Sequence, residues 1–276
     1  MPQSFLDESY DEYPRIEEAF QAVLDESLHP RGPEMLYEMV RNLGLRPGAN
    51  VLDLGCGEGQ QALKLARDFG VAVHGIDPVS RHIEIAREAL AEAVETMPEL
   101  RKRVRFELGT AEAQPVADAS VDLIWCKDVL VHVDALDDAL AECRRVLRSG
   151  GFMLIYHSVF WTDRITPAEA ELLVSPPGVF QTDPLLVEAS FIRAGFQIDE
   201  CIELASEWGE WGEEATGQAG RRLIHTARLL RAPERYIAQF GQSNYNIMLG
   251  DCLWHVNRMI GKMSPRVYVL KVATRI

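Results

Sequence analysis

Two aspartates and three glycines carry most of the chemistry that this sequence could perform. Asp53 stands near the end of the apolar run Val51–Leu54, and Gly55, Gly57 and Gly59 follow directly. Glycine at a strand-to-helix turn permits unusual backbone angles and lets a ligand lie against the main chain without Cβ clashes. The spacing is G-x-G-x-G, whereas the dinucleotide fingerprint G-x-G-x-x-G would need its third glycine at Gln60. A carboxylate beside the turn repels a pyrophosphate but welcomes a sulfonium cofactor that carries an ammonium group. Asp77, 24 positions after Asp53 (77 − 53), ends the next apolar run and can accept hydrogen bonds from both hydroxyls of a ribose. Asp77 therefore indicates an adenosyl ligand, and Asp53 indicates which kind.

The elements that must position these residues follow from periodicity. Strand-like runs at Asn50–Leu54, Val71–Ile76, Val104–Leu108, Val121–Cys126 and Phe152–His157 alternate with helix-like runs at Gln60–Phe69, Arg81–Met97 and Leu136–Leu147. Such alternation calls for a parallel sheet with helices on both faces. Residues 1–48 read as acidic helices that end at the turn Pro47-Gly48. Residues 158–180, with Pro167, Pro176, Pro177 and Gly178, read as a loop holding one short helix at Pro167–Leu173. A helix at Leu185–Ala194 and a strand at Phe196–Leu204 come next. Residues 205–262 then read as largely helical before a final strand at Arg266–Thr274. The expected division is an N-terminal helical segment (1–48), a ligand-binding core (49–204), a helical cap (205–264) and a last core strand (265–276).

Composition narrows the function classes. A formal net charge of −14 sets a repulsive field against phosphate backbones, so nucleic-acid binding is not expected. The five cysteines show no CxxC spacing, which argues against a zinc site or a disulfide framework, and no metal is expected. The first residues lack a basic, apolar leader pattern, and no apolar stretch approaches the roughly 20 residues needed to span a bilayer. The expectation is a soluble, cytoplasmic protein with no membrane partner; homo-oligomerisation is left open.

Several motifs together resemble the class I S-adenosylmethionine (SAM)-dependent methyltransferases. Val51-Leu52-Asp53-Leu54-Gly55-Cys56-Gly57-Glu58-Gly59 is similar to their first motif, and Gly75-Ile76-Asp77 to their ribose-binding acidic end. The stretch from Gly109 to Asp122 resembles the segment G-D-A-x-x-L-P-F-x-D-x-S-F-D, which packs on adenine. Arg145-Val146-Leu147-Arg148-Ser149-Gly150-Gly151 resembles the R-V-L-K-P-G-G turn. The resemblance covers residues 45–157 strongly and the two final strands loosely. It implies a Rossmann-like α/β fold: a mostly parallel seven-stranded sheet with its last strand antiparallel, N-terminal helices, and a helical cap before the last strand. It further implies SAM as cofactor, bound by Asp53, Gly55, Gly57, Asp77, Pro78, Ala111, Glu112, Lys127 and His132. Two departures stand out. Thr110 replaces the usual Asp, which shifts the adenine contact to Glu112 or the Ala111 backbone, and Ser149 replaces Pro.

Ligands of open α/β sheets lie beyond the carboxyl ends of the strands. In the resembled family the segment after Cys126 passes beneath the methionine end of SAM, which makes His132 a candidate general base or acceptor-orienting group. His157, expected to close the fifth strand, is a second catalytic candidate, while Tyr156 should face the opposite side and join the core. Trp208, Trp211, Phe240, Tyr245, Trp254 and His255 give the cap aromatic surface for a small, largely apolar acceptor. Arg221, His225, Arg228, Arg231 and Arg235 recur at helical spacing and read either as a grip for an anion or as a solvated basic face. The expected function is methyl transfer to a small molecule, such as a natural-product intermediate. The alternatives are a nicotinamide-dependent oxidoreductase and a non-catalytic SAM-binding protein.

Overall fold

The computed structural model describes residues 3–174, 178–217 and 219–272. Its framework is one seven-stranded sheet in the order β3-β2-β1-β4-β5-β7-β6. The strands are β1 (Asn50–Leu54), β2 (Ala72–Asp77), β3 (Val104–Leu108), β4 (Val121–Lys127), β5 (Leu147–Trp161), β6 (Phe196–Glu203) and β7 (Met263–Val272). The first five pair in parallel, and β7 runs antiparallel to both β5 and β6. The last strand is therefore the reversed one, as the resemblance implies, and it lies inside the sheet beside the edge strand β6.

Alternation along the strands builds two cores. Val51, Val73, Leu123, Trp125, Leu154 and Tyr156 face one side, covered by α2 (Glu34–Asn42), α3 (Gln60–Phe69) and α4 (Ser80–Thr96). Leu52, Leu54, Ile124, Cys126, Met153 and Ile155 face the other, covered by α6 (Leu136–Val146) and α8 (Pro184–Arg193). Burial on both faces is why these strands read as continuous apolar runs. Tyr156 falls on the side opposite Met153 and Ile155, as the alternation predicts.

Punctuation matches the local chemistry. Gly59 and Gly70, both in the left-handed region, bracket α3. Asp183 caps α8, accepting the Leu185 amide at 2.9 Å with Pro184 at the first helical position. A short helix, α5 (Leu100–Arg103), precedes β3 and had no counterpart in the periodicity.

Other differences concern element ends. β5 does not stop at His157 but continues to Trp161, pairing there with Met263 of β7 beyond a register shift. The last strand starts at Met263 rather than Arg266 and is described to Val272; residues 273 and 274 of the expected strand lie outside the described residues. The short helix α7 (Pro167–Val174) forms where Pro167 predicts it. Pro176 and Pro177 lie outside the described residues.

At the N-terminus, α1 (Gln3–Leu24) leaves Tyr10, Ile16, Phe20, Val23 and Leu24 exposed. The segment between β6 and β7 forms α9 (Glu207–Thr216), α10 (Ala219–Arg231), α11 (Pro233–Phe240) and α12 (Gln242–Met259). Leu229, Tyr245, Leu249 and Cys252 give this segment a small core of its own. Pro233 separates α10 from α11, interrupting the basic spacing that runs from Arg221 to Arg235. Among the described residues, no helix is long and apolar enough to cross a membrane.

Candidate active site

The glycine turn after β1 is held by hydrogen bonds to the end of β2. Cys56 donates its amide to the Ile76 carbonyl at 2.9 Å, and Gly57 donates to Asp77 Oδ2 at 3.0 Å. The other Asp77 oxygen accepts the Val79 amide at 2.9 Å and faces His82 Nδ1 at 3.1 Å. Asp77 thus forms a local turn and braces the glycine turn, and its Oδ2 keeps a lone pair for a further donor.

The three glycines divide the work. A Cβ on Gly55 would meet Val129 Cγ2 at 2.4 Å, and one on Gly59 would meet the Phe106 ring at 2.7 Å. These two let protein pack against the turn. A Cβ on Gly57 would meet nothing within 4 Å. Gly57 is the member of the set that faces open space, where a ligand can lie on the backbone.

Asp53 lies in β1 beside Gly75 and Trp125 and is only 2% exposed. Its Oδ2 is buried without a hydrogen-bond partner. Burial, and then the charge of Asp77, push its carboxyl up to about 8, while Lys127 and an Ala62 backbone hydrogen bond pull it back. Ionising a buried carboxyl group with an orphaned oxygen is costly unless a cation arrives. These residues fit an adenosyl cofactor with an ammonium group: Asp53 toward the ammonium, Gly57 under the chain, Asp77 toward ribose.

The remaining predicted cofactor residues sit as follows. Ala111 is buried in the second core, Glu112 is half-buried and Pro78 is exposed. Thr110 accepts the Ala113 amide at 3.1 Å, so it shapes the loop. Lys127, half-buried at the end of β4, lies 5.9 Å from the Tyr156 ring centroid. The loop after Ala111 is clamped by a residue that the motif reading treated only as part of a turn. Arg145 donates to the carbonyls of Gln114 (3.0 Å) and Val116 (2.7 Å) and pairs with Asp118 and Glu142. Its only sequence signal is Glu142 three residues earlier.

His132 and His157 part company. His132 ends a 3-10 turn (Leu130–His132) and lines a cavity, with its Nδ1 bonded to the Gly178 carbonyl. A carbonyl partner fixes the proton on Nδ1 and leaves Nε2 as the acceptor. His157 is only 1% exposed, because β5 runs past it; its Nε2 donates to the Gln181 carbonyl at 2.6 Å and its ring stacks on Phe160 at 4.2 Å. Burial pushes it down to about 4. The expected rim position is not where it lies, and its surroundings are those of a packed, neutral imidazole.

The cavity beside His132 has a volume of about 420 Å³. Asp128 and His132 line it from the chain after β4, Leu173 and Val179 from the segment after β5, and Ile247, Trp254, His255 and Arg258 from α12. Asp128 adopts φ 64, a strained angle for a non-glycine residue, directly behind the end of β4. Of the predicted cap aromatics, Trp254 and His255 line this cavity. Phe240 and Tyr245 line a separate one of about 400 Å³ within α10–α12, together with His225 and Arg228 of the basic stripe. Trp208 stacks on Tyr156 at 4.2 Å, and the Trp211 ring lies where a Cβ on Gly32 would be. Among the described residues, neither α1 nor α2 lines the cavity beside His132. Among the described residues there is no His, Cys, Asp and Glu group that could hold a metal ion.

Residues 52–155 match the methyltransferase domain family. Over these residues the chain is similar to the class I SAM-dependent methyltransferases. It is 31% identical to the methyltransferase GfsG of Streptomyces halstedii over 55% of this chain and 58% of that one. It is 28% identical to an O-methyltransferase of Pyrenophora dematioidea over 72% and 76%. The chain therefore spans somewhat over half of the first relative and three quarters of the second. The crystal structure of the [4+2]-cyclase SpnF shares the fold, with a TM-score of 0.67 at 21% identity over 88% of this chain and 82% of that one. The methyltransferases of this family use SAM.

Proposed function

We propose that this protein transfers the methyl group of SAM to a small-molecule acceptor, of natural-product type, seated in the cavity between the post-β4 segment and α12. The observation that carries this reading is the unpaired, buried Asp53 carboxylate beside the open face of Gly57. It supplies what a sulfonium cofactor with an ammonium group needs and what a dinucleotide pyrophosphate would avoid. SAM supplies an electrophilic methyl carbon when bound. Asp53 holds the ammonium, Asp77 orients the ribose, and Ala111 and Glu112 border the adenine.

The acceptor cavity supports the same reading. Asp128 joins it to the end of β4, one strand from Asp53. Leu173, Val179, Ile247 and Trp254 exclude water from an apolar body, and the segment 205–264 serves as the cap. For a hydroxyl acceptor, the oxygen lone pair would form the new bond to the methyl carbon as that carbon's bond to sulfur breaks, the electron pair leaving with sulfur, and His132 Nε2 would take the hydroxyl proton. An amine arriving neutral needs no base. SpnF shows that a protein of this fold can be a cyclase, so the decisive observation is the methylated product itself. Calorimetry with S-adenosylhomocysteine (SAH) should show micromolar-class binding. Mass spectrometry of candidate metabolites incubated with protein and SAM should then show a methyl gain. Absence of SAH binding removes the reading.

A further inference from the structure

α12 turns one face to the acceptor cavity at positions 247, 250, 251, 254, 255 and 258, the spacing of a single helical stripe. Two of these positions carry charge, and their fates differ. Asp251 is neutralised by Arg222 at 2.6 Å. Arg258, half-buried, makes no ion pair among the described residues, and its Nε is buried without a hydrogen-bond partner. In a chain with 42 carboxylates against 28 lysines and arginines, a half-buried guanidinium without a counter-charge is unexpected. Burying a charge in this way is unfavourable unless a partner completes it.

The position of Arg258 ties it to the reaction. Arg258 and Asp128, the residue directly behind β4, line the same cavity. Trp254, one turn before Arg258, is fixed by its indole N–H donating to the Leu173 carbonyl at 3.2 Å. The wall beside Arg258 is thus apolar and held in place.

We infer that Arg258 is a specificity-determining residue that anchors a carboxylate on the acceptor, so that the preferred substrates are apolar acids of low molecular weight. This rests on the methyl-transfer reading above. A planar guanidinium meets a carboxylate through two parallel N–H···O bonds. A phosphate monoester fits less well, because it brings up to two negative charges into a cavity that already holds Asp128. One negative charge balances Arg258; two would meet repulsion.

The test is calorimetry on the full chain saturated with SAH, titrated with aryl and alkyl carboxylic acids and, in parallel, with their primary amides. Charge-assisted hydrogen bonds of about 1.5–3 kcal/mol imply roughly ten- to hundredfold tighter binding of the acid than of its amide. Arg258→Gln should erase that preference and Arg258→Lys should keep part of it, with SAH affinity unchanged in both. Acids and amides binding alike, a preference that survives Arg258→Gln, or no acid binding at all would overturn the assignment. Failure of the unmodified protein to bind SAH would instead overturn the methyl-transfer reading beneath it.

Discussion

Asp77 reaches from the end of β2 to the turn that follows β1, where its Oδ2 accepts the Gly57 amide at 3.0 Å. The residue expected to bind ribose therefore also shapes the backbone on which the cofactor lies. Asp77→Ala should weaken SAH binding by more than about tenfold and lower stability by roughly 1–3 kcal/mol, since a half-buried amide loses its acceptor. Asp77→Asn keeps one acceptor oxygen and should fall between the two. Calorimetry and thermal melts on the same preparations measure both effects. Loss of stability with unchanged SAH affinity would restrict Asp77 to a structural brace.

The glycines make a separable prediction. Gly59→Ala places a methyl group against Phe106 at 2.7 Å and Ala86 at 3.0 Å, so it should destabilise the fold by about 1–3 kcal/mol. Gly57→Ala meets no protein atom within 4 Å and carries only the left-handed backbone penalty, about 1–2 kcal/mol. Its larger effect should be on SAH affinity. A Gly57→Ala variant that binds SAH like the unmodified chain would show that the ligand does not lie against this backbone.

Much of this arrangement was legible in the sequence, for a physical reason. A parallel sheet buried on both faces writes itself as apolar runs, and a ligand cradle writes itself as glycines and aspartates at strand ends. What stayed hidden depends on long-range contacts. The Arg145 clamp joins residues 27 to 31 positions apart. The extension of β5 to Trp161 is stabilised by Met263, and the burial of His157 follows from that extension. Arg258 carries no motif or spacing signal, and its place beside the cavity follows from the packing of α12. The cap aromatics were recognised by type, but periodicity could not say that Trp254 faces the acceptor cavity while Tyr245 faces another.

His157 should report on acid stability. Its neutral form is favoured by burial, down to about 4 in the folded chain against 6.5 for an unperturbed imidazole. Between those values the unfolded chain binds the extra proton and the folded chain does not. Stability from this group is thus complete above about pH 6.5 and is lost as pH falls toward 4. His157→Gln should flatten that part of the profile in urea melts across the range, while SAH binding at neutral pH stays within about twofold. A steep loss of methyl transfer with intact folding would return His157 to the reaction.

Asp53 carries the opposite sign. Its folded carboxyl is pushed up to about 8, so the folded protein without cofactor holds a proton that the unfolded chain has released by about pH 4. Raising the pH from 4 through 8 therefore removes stability, and Asp53→Asn should melt higher than the unmodified protein at pH 8. Cofactor binding reverses the preference, because an ammonium beside Asp53 favours the carboxylate and drives the proton off. At pH 7 SAH binding should release a proton, visible as a calorimetric heat that depends on the ionisation enthalpy of the buffer. Affinity should rise toward pH 8 as the unliganded carboxyl gives up its proton. In Asp53→Asn the proton release should vanish and binding should weaken by about tenfold. If SAH binds the unmodified protein without proton release, Asp53 does not face the ammonium, and the assignment of the glycine turn to a sulfonium cofactor loses its main support.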